Sequence, residues 1–246
     1  MPEQYYDDAT AMSQARVGAT DDMADQRQAV CDLLSVQVGQ AVLDIGSGNG
    51  ELANDLATLV GPSGRVVGVD AAPAMVASAD PSDSNTVFVT GDAQQLPFDD
   101  GDFDAATATQ VFCFVPDLDR AVAELWRVLR PGGRAVILDT EWDSVVWHCR
   151  DASLRDRILT ELTSGYAANH VPARLTRALT TNGFDIVQRV CHPIVNWEMG
   201  DNYSTGLLGF LADTDDGAAW RREMDAAVER GEYLFSISRY LFLVTK

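Results

Sequence analysis

Lysine is all but missing from this chain. Lys246 is the only one, and 18 basic residues stand against 37 acidic ones, 28 Asp and 9 Glu, for a formal charge of −19. Polyanions are held by clustered Lys and Arg, so this balance argues against a nucleic-acid substrate. An Asp-rich, Lys-poor surface suits a high-salt cytoplasm, and biased coding composition removes lysine equally well. Cysteine is sparse: Cys31, Cys113, Cys149 and Cys191 lack C-x-x-C pairing, which speaks for a reduced compartment rather than a disulfide framework or zinc site. Apolar runs are short. None approaches the roughly eighteen residues of a membrane helix, and Met1–Asp8 lacks the basic and apolar regions of a signal peptide. A soluble, cytoplasmic protein without membrane insertion is expected. At 246 residues, without repeats or low-complexity tracts, the chain suits one domain with a sizeable core.

Glycine, by contrast, is concentrated where it matters. In Val42-Leu43-Asp44-Ile45-Gly46-Ser47-Gly48-Asn49-Gly50 an apolar strand runs into an acidic residue and three alternating glycines. Without Cβ atoms, Gly46, Gly48 and Gly50 can take unusual φ values and lie against a ligand. The helix expected to open near Asn49 offers unpaired N–H groups to an anion. Asp70 follows the last glycine by twenty residues, at the end of a second strand, where a carboxylate suits the two hydroxyls of a ribose. A nucleoside-bearing cofactor fits such a turn. The spacing D-x-G-x-G-x-G departs from the dinucleotide fingerprint G-x-G-x-x-G, which makes a nicotinamide-dependent reductase the weaker rival.

Three further segments follow in order: Val69-Asp70-Ala71-Ala72-Pro73-Ala74-Met75, Gly91-Asp92-Ala93-Gln94-Gln95-Leu96-Pro97-Phe98, and Leu129-Arg130-Pro131-Gly132-Gly133-Arg134 leading into Ala135–Asp139. With the glycine loop they make the chain resemble class I (Rossmann-like) S-adenosylmethionine-dependent methyltransferases. The likeness is to the small-molecule branch that includes the ubiquinone and menaquinone biosynthesis enzymes, closely over about residues 25 to 140 and in outline beyond. The resemblance implies S-adenosyl-L-methionine as cofactor. It places Asp44 at the methionine end, Gly46, Ser47, Gly48, Asn49 and Gly50 in the close-approach loop, and Asp70 on the ribose. Ala71 and Met75 fall against the adenine, Gly91, Asp92 and Ala93 at its edge, and Gln110 beside the sulfonium. Other readings stand beside these: Asp92 also suits the cap of a turn beginning at Ala93, Asp44 an unliganded loop, and Met75 ordinary core. No Asn- or Asp-Pro-Pro-aromatic segment of the amino-methylating DNA enzymes is present.

Alternating patterns place strands at Ala41–Ile45, Val66–Asp70, Val87–Thr90, Phe103–Thr109 and Arg134–Asp139. Helices are expected at about Asp21–Val38, Glu51–Val60, Pro73–Ala79 and Leu118–Val128. Such alternation implies an α/β, doubly wound, mostly parallel sheet with helices on both faces and ligands beyond the carboxyl ends of its strands. The resemblance makes it seven-stranded with the last strand antiparallel. Beyond Asp139 a helix is read at Ala173–Thr181 and strands at Phe184–Val190 and Tyr233–Val244. The single domain, 1–246, thus has a cofactor-binding core at 21–140 and two insertions, 141–172 and 196–231. Rich in Trp142, Trp147, Tyr166, Trp197, Tyr203, Phe210 and Trp220, these are expected to fold as helical lids over the cofactor and form the acceptor pocket. Stacking on a planar ring, enclosing an amine, and plain lid core all suit such residues.

Methyl transfer from a sulfonium needs donor and acceptor held in contact with water excluded. Where an O, C or N acceptor must lose a proton, His148 is the expected base because it follows Glu141 and Trp142 past the fifth strand. A lone histidine is as readily structural, and His170, His192 and Glu141 rank behind it. No metal is expected. Two alternatives come from other classes: a catalytically silent methyltransferase fold acting as a cofactor-binding or partner subunit, and an arsenite methyltransferase using Cys149 and Cys191 as soft ligands.

Overall fold

Central strands that read as unbroken apolar runs need helices on both faces. In the computed structural model, which describes residues 17–82, 84–164, 166–168, 170–211 and 214–246, seven strands form one sheet in the order β3-β2-β1-β4-β5-β7-β6. They are β1 (Ala41–Ile45), β2 (Arg65–Asp70), β3 (Thr86–Thr90), β4 (Phe103–Thr109), β5 (Leu129–Trp147), β6 (Asp185–Asn196) and β7 (Phe235–Thr245). The first five pair in parallel, while β7 runs antiparallel between β5 and β6. The doubly wound sheet with its antiparallel final strand is therefore the fold. Residues 1–16, including the segment read for a signal peptide, lie outside the described residues. Among those described, no helix is long and apolar enough to cross a membrane.

The helices are α1 (Asp21–Leu34), α2 (Glu51–Val60), α3 (Pro73–Ser78), α4 (Leu118–Val128), α5 (Ala152–Thr163), α6 (Val171–Thr181), α7 (Tyr203–Leu207) and α8 (Asp215–Glu229). The two-residue period of the strands divides the core between them. Val42, Val66, Val136 and Leu241 pack with Leu34, Leu52 and Leu56 of α1 and α2. Their neighbours Leu43, Val67, Ile137 and Phe242 join Leu118, Leu125, Leu175 and Leu179 of α4 and α6 on the opposite face. Each such side chain, fully buried, contributes about 1.5–3 kcal/mol of hydrophobic stabilisation. α1 stops at Leu34, short of Val38, because Ser35 turns left-handed at φ 53°.

The first insertion differs from a helical lid at its start. β5 continues past Asp139 to Trp147, and after an irregularity between Glu141 and Val146 it pairs again with β7, Val146 opposite Ser236 and Trp147 opposite Phe235. α5 follows, capped by the Asp151 carboxylate, which accepts from the Leu154 N–H at 3.0 Å. The second insertion is helical, built of α7, a short 3-10 turn (Leu208–Phe210) and α8. The insertions share a third core in which Trp147 meets Trp220 and Phe235 edge-on at 5.1 and 4.9 Å. Arg157 of α5 binds both oxygens of Asp216 of α8 at 2.6 and 2.7 Å.

Candidate functional site

The carboxyl ends of β1, β2 and β4 open on one side of the sheet, into a cavity of about 830 Å³. The glycine loop forms its floor. Gly46, Gly48 and Gly50 all have positive φ, 68°, 54° and 88°, but for different reasons. The Gly46 and Ser47 N–H groups donate to the Val69 carbonyl at 2.7 and 3.1 Å, folding the loop across the end of β2. A Cβ on Gly46 would strike Val111 and one on Gly50 the Phe88 ring, whereas on Gly48 it would project into open space. Gly48 alone of the three leaves open space beside a cavity-lining backbone. Gly50 does not line the cavity; its expected ligand role gives way to packing against Phe88 at the start of α2.

Three carboxylates line the cavity with this loop. Asp44 is 2% exposed, and its Oδ2 has no hydrogen-bond partner among the described residues. Burial pushes its pKa up to about 8, with the Asp70 charge adding to the rise. Asp70 accepts from the Gly48 N–H at 2.9 Å with Oδ2 and from the Ala72 N–H at 2.8 Å with Oδ1. The Ala71 N–H also acts on this carboxylate, which lines the cavity. Burial raises the Asp70 pKa while these N–H groups oppose the rise. Asp92 caps its own turn by accepting from the Gln94 N–H at 2.8 Å, and it also lines the cavity. The turn-cap reading is thus met, and the carboxylate stands in the cavity wall.

Ser47, Asn49, Ala71, Met75, Gly91, Ala93 and Gln110 also line the cavity. The Ser47 Oγ is buried without a partner among the described residues. Met75 is 6% exposed and belongs to wall and core together. Gln110 is a non-glycine residue at φ 58°, held there by its N–H to the Leu138 carbonyl at 2.8 Å and its side-chain amide on the Thr140 hydroxyl. Such backbone strain, of about 1–3 kcal/mol, gathers where a side chain must be aimed.

Aromatic side chains from the insertions join in lining the cavity. Trp142, Tyr166, Tyr203 and Phe210 of the predicted lids line it, joined by Phe114. Tyr166 packs on Phe114 and Trp142 with ring centroids at 4.9 and 5.3 Å. Trp147 and Trp220 instead fill the lid core, and Trp197 is 72% exposed. His148 does not reach the cavity: its side chain is exposed at the far end of β5 and its backbone N–H bonds the Leu234 carbonyl. The expected base is therefore not brought to the site. His170 is held at the surface by Glu141 at 2.8 Å. Cys149 and Cys191 belong to no cluster of metal-ligating side chains among the described residues, which leaves the arsenite reading without its soft ligands.

Cavity residues that the sequence pattern did not flag come mainly from two places. Val111, Cys113 and Phe114 follow Gln110 in the turn after β4, and Gln26 and Arg27 come from α1. Arg27 is engaged by Glu51 at 2.5 Å, Asp55 at 3.2 Å and the Gly18 carbonyl at 2.9 Å. The apolar run past the end of β4 was the available signal for the first group. For Arg27, a pairing across twenty-four positions leaves no periodic trace.

Residues 43–137 match the family model described as a methyltransferase domain. Over 204 residues the chain is 34% identical to an uncharacterized 37.1 kDa protein in transposon TN4556 of Streptomyces fradiae, covering 81% of this chain and 59% of that protein. Over 119 residues it is 40% identical to the ubiquinone/menaquinone biosynthesis C-methyltransferase UbiE of Saccharophagus degradans, covering 46% of this chain and 48% of the enzyme. The chain thus spans about half to three fifths of the length of these curated relatives. The solved structure of YcgJ from Bacillus subtilis superposes with a TM-score of 0.67 at 20% identity, covering 91% of this chain and 98% of YcgJ. Residues 43–137 thus carry the likeness to a methyltransferase domain, and the fold of the chain is that of YcgJ.

Proposed function

We propose that this protein transfers a methyl group from S-adenosylmethionine to a small-molecule acceptor. The observation that carries the reading is the meeting of Asp44, Asp70 and Asp92 with the open Gly48 position in the wall of one cavity that aromatic side chains also line. The residues fit the cofactor. The partnerless Asp44 carboxyl suits a cationic amino group, the Asp70 carboxylate in the cavity wall suits two vicinal hydroxyls, and Asp92 with the Ala93 N–H suits an adenine edge. Apolar Ala71 and Met75 complete the wall beside them. When bound, the cofactor supplies a methyl group already activated by cationic sulfur.

What the chain then has to do is position and exclude. Gln110, fixed by Thr140, lines the same cavity as the three carboxylates and the aromatic side chains. Trp142, Tyr166 and Phe210 line the cavity and would enclose an acceptor and keep water from it. Arg27 is neutralised by Glu51 and Asp55, so no free arginine side chain of α1 awaits a phosphate here. A small neutral or weakly acidic acceptor suits such a chamber better than a polyanion.

Isothermal titration with S-adenosylmethionine and S-adenosylhomocysteine tests the cofactor site. Mass spectrometry of acceptors grouped by O, C and N nucleophile then tests the reaction, one methyl group gained per turnover. Failure to bind either ligand would end the proposal. Binding with no product from any group would favour the silent-subunit alternative.

A further inference from the structure

A buried tyrosine hydroxyl normally finds a protein partner, and Tyr233 obeys this rule by donating to the Ser204 Oγ at 2.7 Å. Tyr203 does not. It opens α7 in the cavity wall, 6% exposed, and its hydroxyl has no hydrogen-bond partner among the described residues. Its position is nonetheless fixed from three sides. The Asp22 carboxylate of α1 accepts from the Tyr203 N–H at 2.8 Å, and the Asn202 side chain caps the helix by accepting from the Thr205 N–H at 3.1 Å. The ring lies 6.0 Å from that of Phe235 on β7. A phenol so firmly placed, with its polar end left open to a ligand cavity, is prepared for an atom that arrives with the ligand.

Behind the same wall stands Arg239, 1% exposed and the only buried cation among the described residues. It donates to the Gln26 Oε1 at 2.6 Å and to the His192 Nδ1 at 2.8 Å, both neutral acceptors, and no carboxylate among the described residues pairs with it. Gln26 itself lines the cavity, so this charge lies one side chain away from the chamber. With no carboxylate among the described residues in direct contact, only the more distant charges of Asp22 and Asp25 offset the cost of burying this cation.

We infer that the Tyr203 hydroxyl touches the acceptor, donating a hydrogen bond to an acceptor oxygen that carries negative charge, as in a phenolate or enolate. Arg239 acts through Tyr203 and Gln26 as a positioning residue whose charge favours that oxygen. The assignment rests on the methyl-transfer reading for the name of the ligand, and on the geometry for the contact. Burial pushes the Tyr203 pKa up to about 12, with Arg239 pulling it down and Cys113 and Asp22 pushing it up. At neutral pH the phenol therefore keeps its proton and serves as a donor, not a base.

Tyr203→Phe removes a single oxygen and keeps the ring against Phe235. With para-nitrophenol as the probe and S-adenosylhomocysteine at saturation, absorbance titration is expected to show binding to the wild-type protein and a Kd at least about fivefold weaker in the variant. Affinity for S-adenosylhomocysteine should stay within about twofold. Equal probe affinity in both proteins, or no probe binding to the wild type, overturns the inference. If S-adenosylhomocysteine binds neither protein, the methyl-transfer reading fails instead, and the probe titration without it still decides on Tyr203. For Arg239, the readout is the titration of the bound probe: in Arg239→Met its apparent pKa is expected to rise, and an unchanged value rejects the positioning role.

Discussion

Asp44 and Gly48 show how much a single residue decides here. The raised pKa of Asp44 means that the folded state holds this proton more tightly than the unfolded chain does. Its contribution to stability therefore falls as pH rises from about 4, the unfolded carboxyl value, toward about 8, the folded one. Asp44→Asn keeps the shape and removes the ionisation. Without cofactor it is expected to be more stable than the wild type at pH 8 by about 1–3 kcal/mol, roughly 2–4 °C of Tm per kcal/mol, with the gain vanishing near pH 4. The same variant should bind S-adenosylhomocysteine at least about tenfold more weakly at pH 8, because the amino group loses its carboxylate. A variant with unchanged affinity would remove Asp44 from the methionine end. For the loop, Gly48→Ala places its Cβ in open cavity and costs only the left-handed strain, about 1–2 kcal/mol. Gly50→Ala must also push into Phe88. Thermal melts should rank Gly50→Ala below Gly48→Ala, while calorimetry should show cofactor binding lost chiefly in Gly48→Ala. If the order is reversed in either measurement, the division of labour between the glycines is wrong.

At the scale of elements, the strands and their ends were legible because their apolar runs and terminal acids obey local rules. Asp44, Asp70 and Gln110 fall at strand ends whichever neighbours surround them. What fills the space beside a residue is a long-range fact. Whether Gly50 meets a ligand or Phe88, or whether Trp147 lines a pocket or stacks on Trp220, depends on partners thirty to seventy positions away. The extension of β5 through Trp147 escaped for the same reason, since it exists only because β7 resumes pairing beyond the irregularity at Glu141. His148 then lies at the wrong end of that strand. One consequence belongs to the lid elements. His170, just before α6, holds Glu141 at 2.8 Å and lies 3.6 Å from Asp143. Tyr166, four residues earlier, packs on Trp142, the residue after Glu141. The Glu141 hydrogen bond, with the Asp143 charge adding, raises the His170 pKa. This ion pair is therefore present in full below the ordinary histidine value of about 6.5 and is lost as pH rises through the higher folded value. Hydrogen exchange at Ala167 and Ala168, whose N–H groups bond the Cys113 carbonyl at 2.7 and 3.2 Å, should speed up between about pH 6 and pH 8 beyond the intrinsic rate change. His170→Gln should abolish that excess. Protection that ignores pH in the wild type would show that the ion pair does not restrain the lid.

Across the whole molecule, charge is the dominant unspent term. The sole lysine is not available to the surface field as a free cation, because the Lys246 Nζ donates to the Trp126 and Leu129 carbonyls at 2.7 Å each, closing the end of α4. Many of the arginines are likewise committed, Arg127 to Glu124 and Asp100, Arg157 to Asp216, and Arg230 to Glu223 and Glu232. The excess of 19 negative charges therefore has few partners within the fold, and it repels itself more strongly when compact than when unfolded. Salt acts on both sides of this balance. It weakens the surface ion pairs, each worth about 0–1 kcal/mol, and it screens the repulsion, whose range shrinks from about 10 Å at 0.1 M to about 3 Å at 1 M. With 37 acidic residues against 18 basic ones, repulsion outnumbers attraction, so the net effect should be stabilising. The Tm is expected to rise by about 5 °C or more between 0.05 and 1 M potassium chloride, and by less in sucrose of equal osmolality, which leaves charges unscreened. A Tm that falls with salt would mean that the ion pairs, not the unpaired carboxylates, set the electrostatics of the fold. The high-salt reading of the Asp-rich composition would lose its physical basis with it.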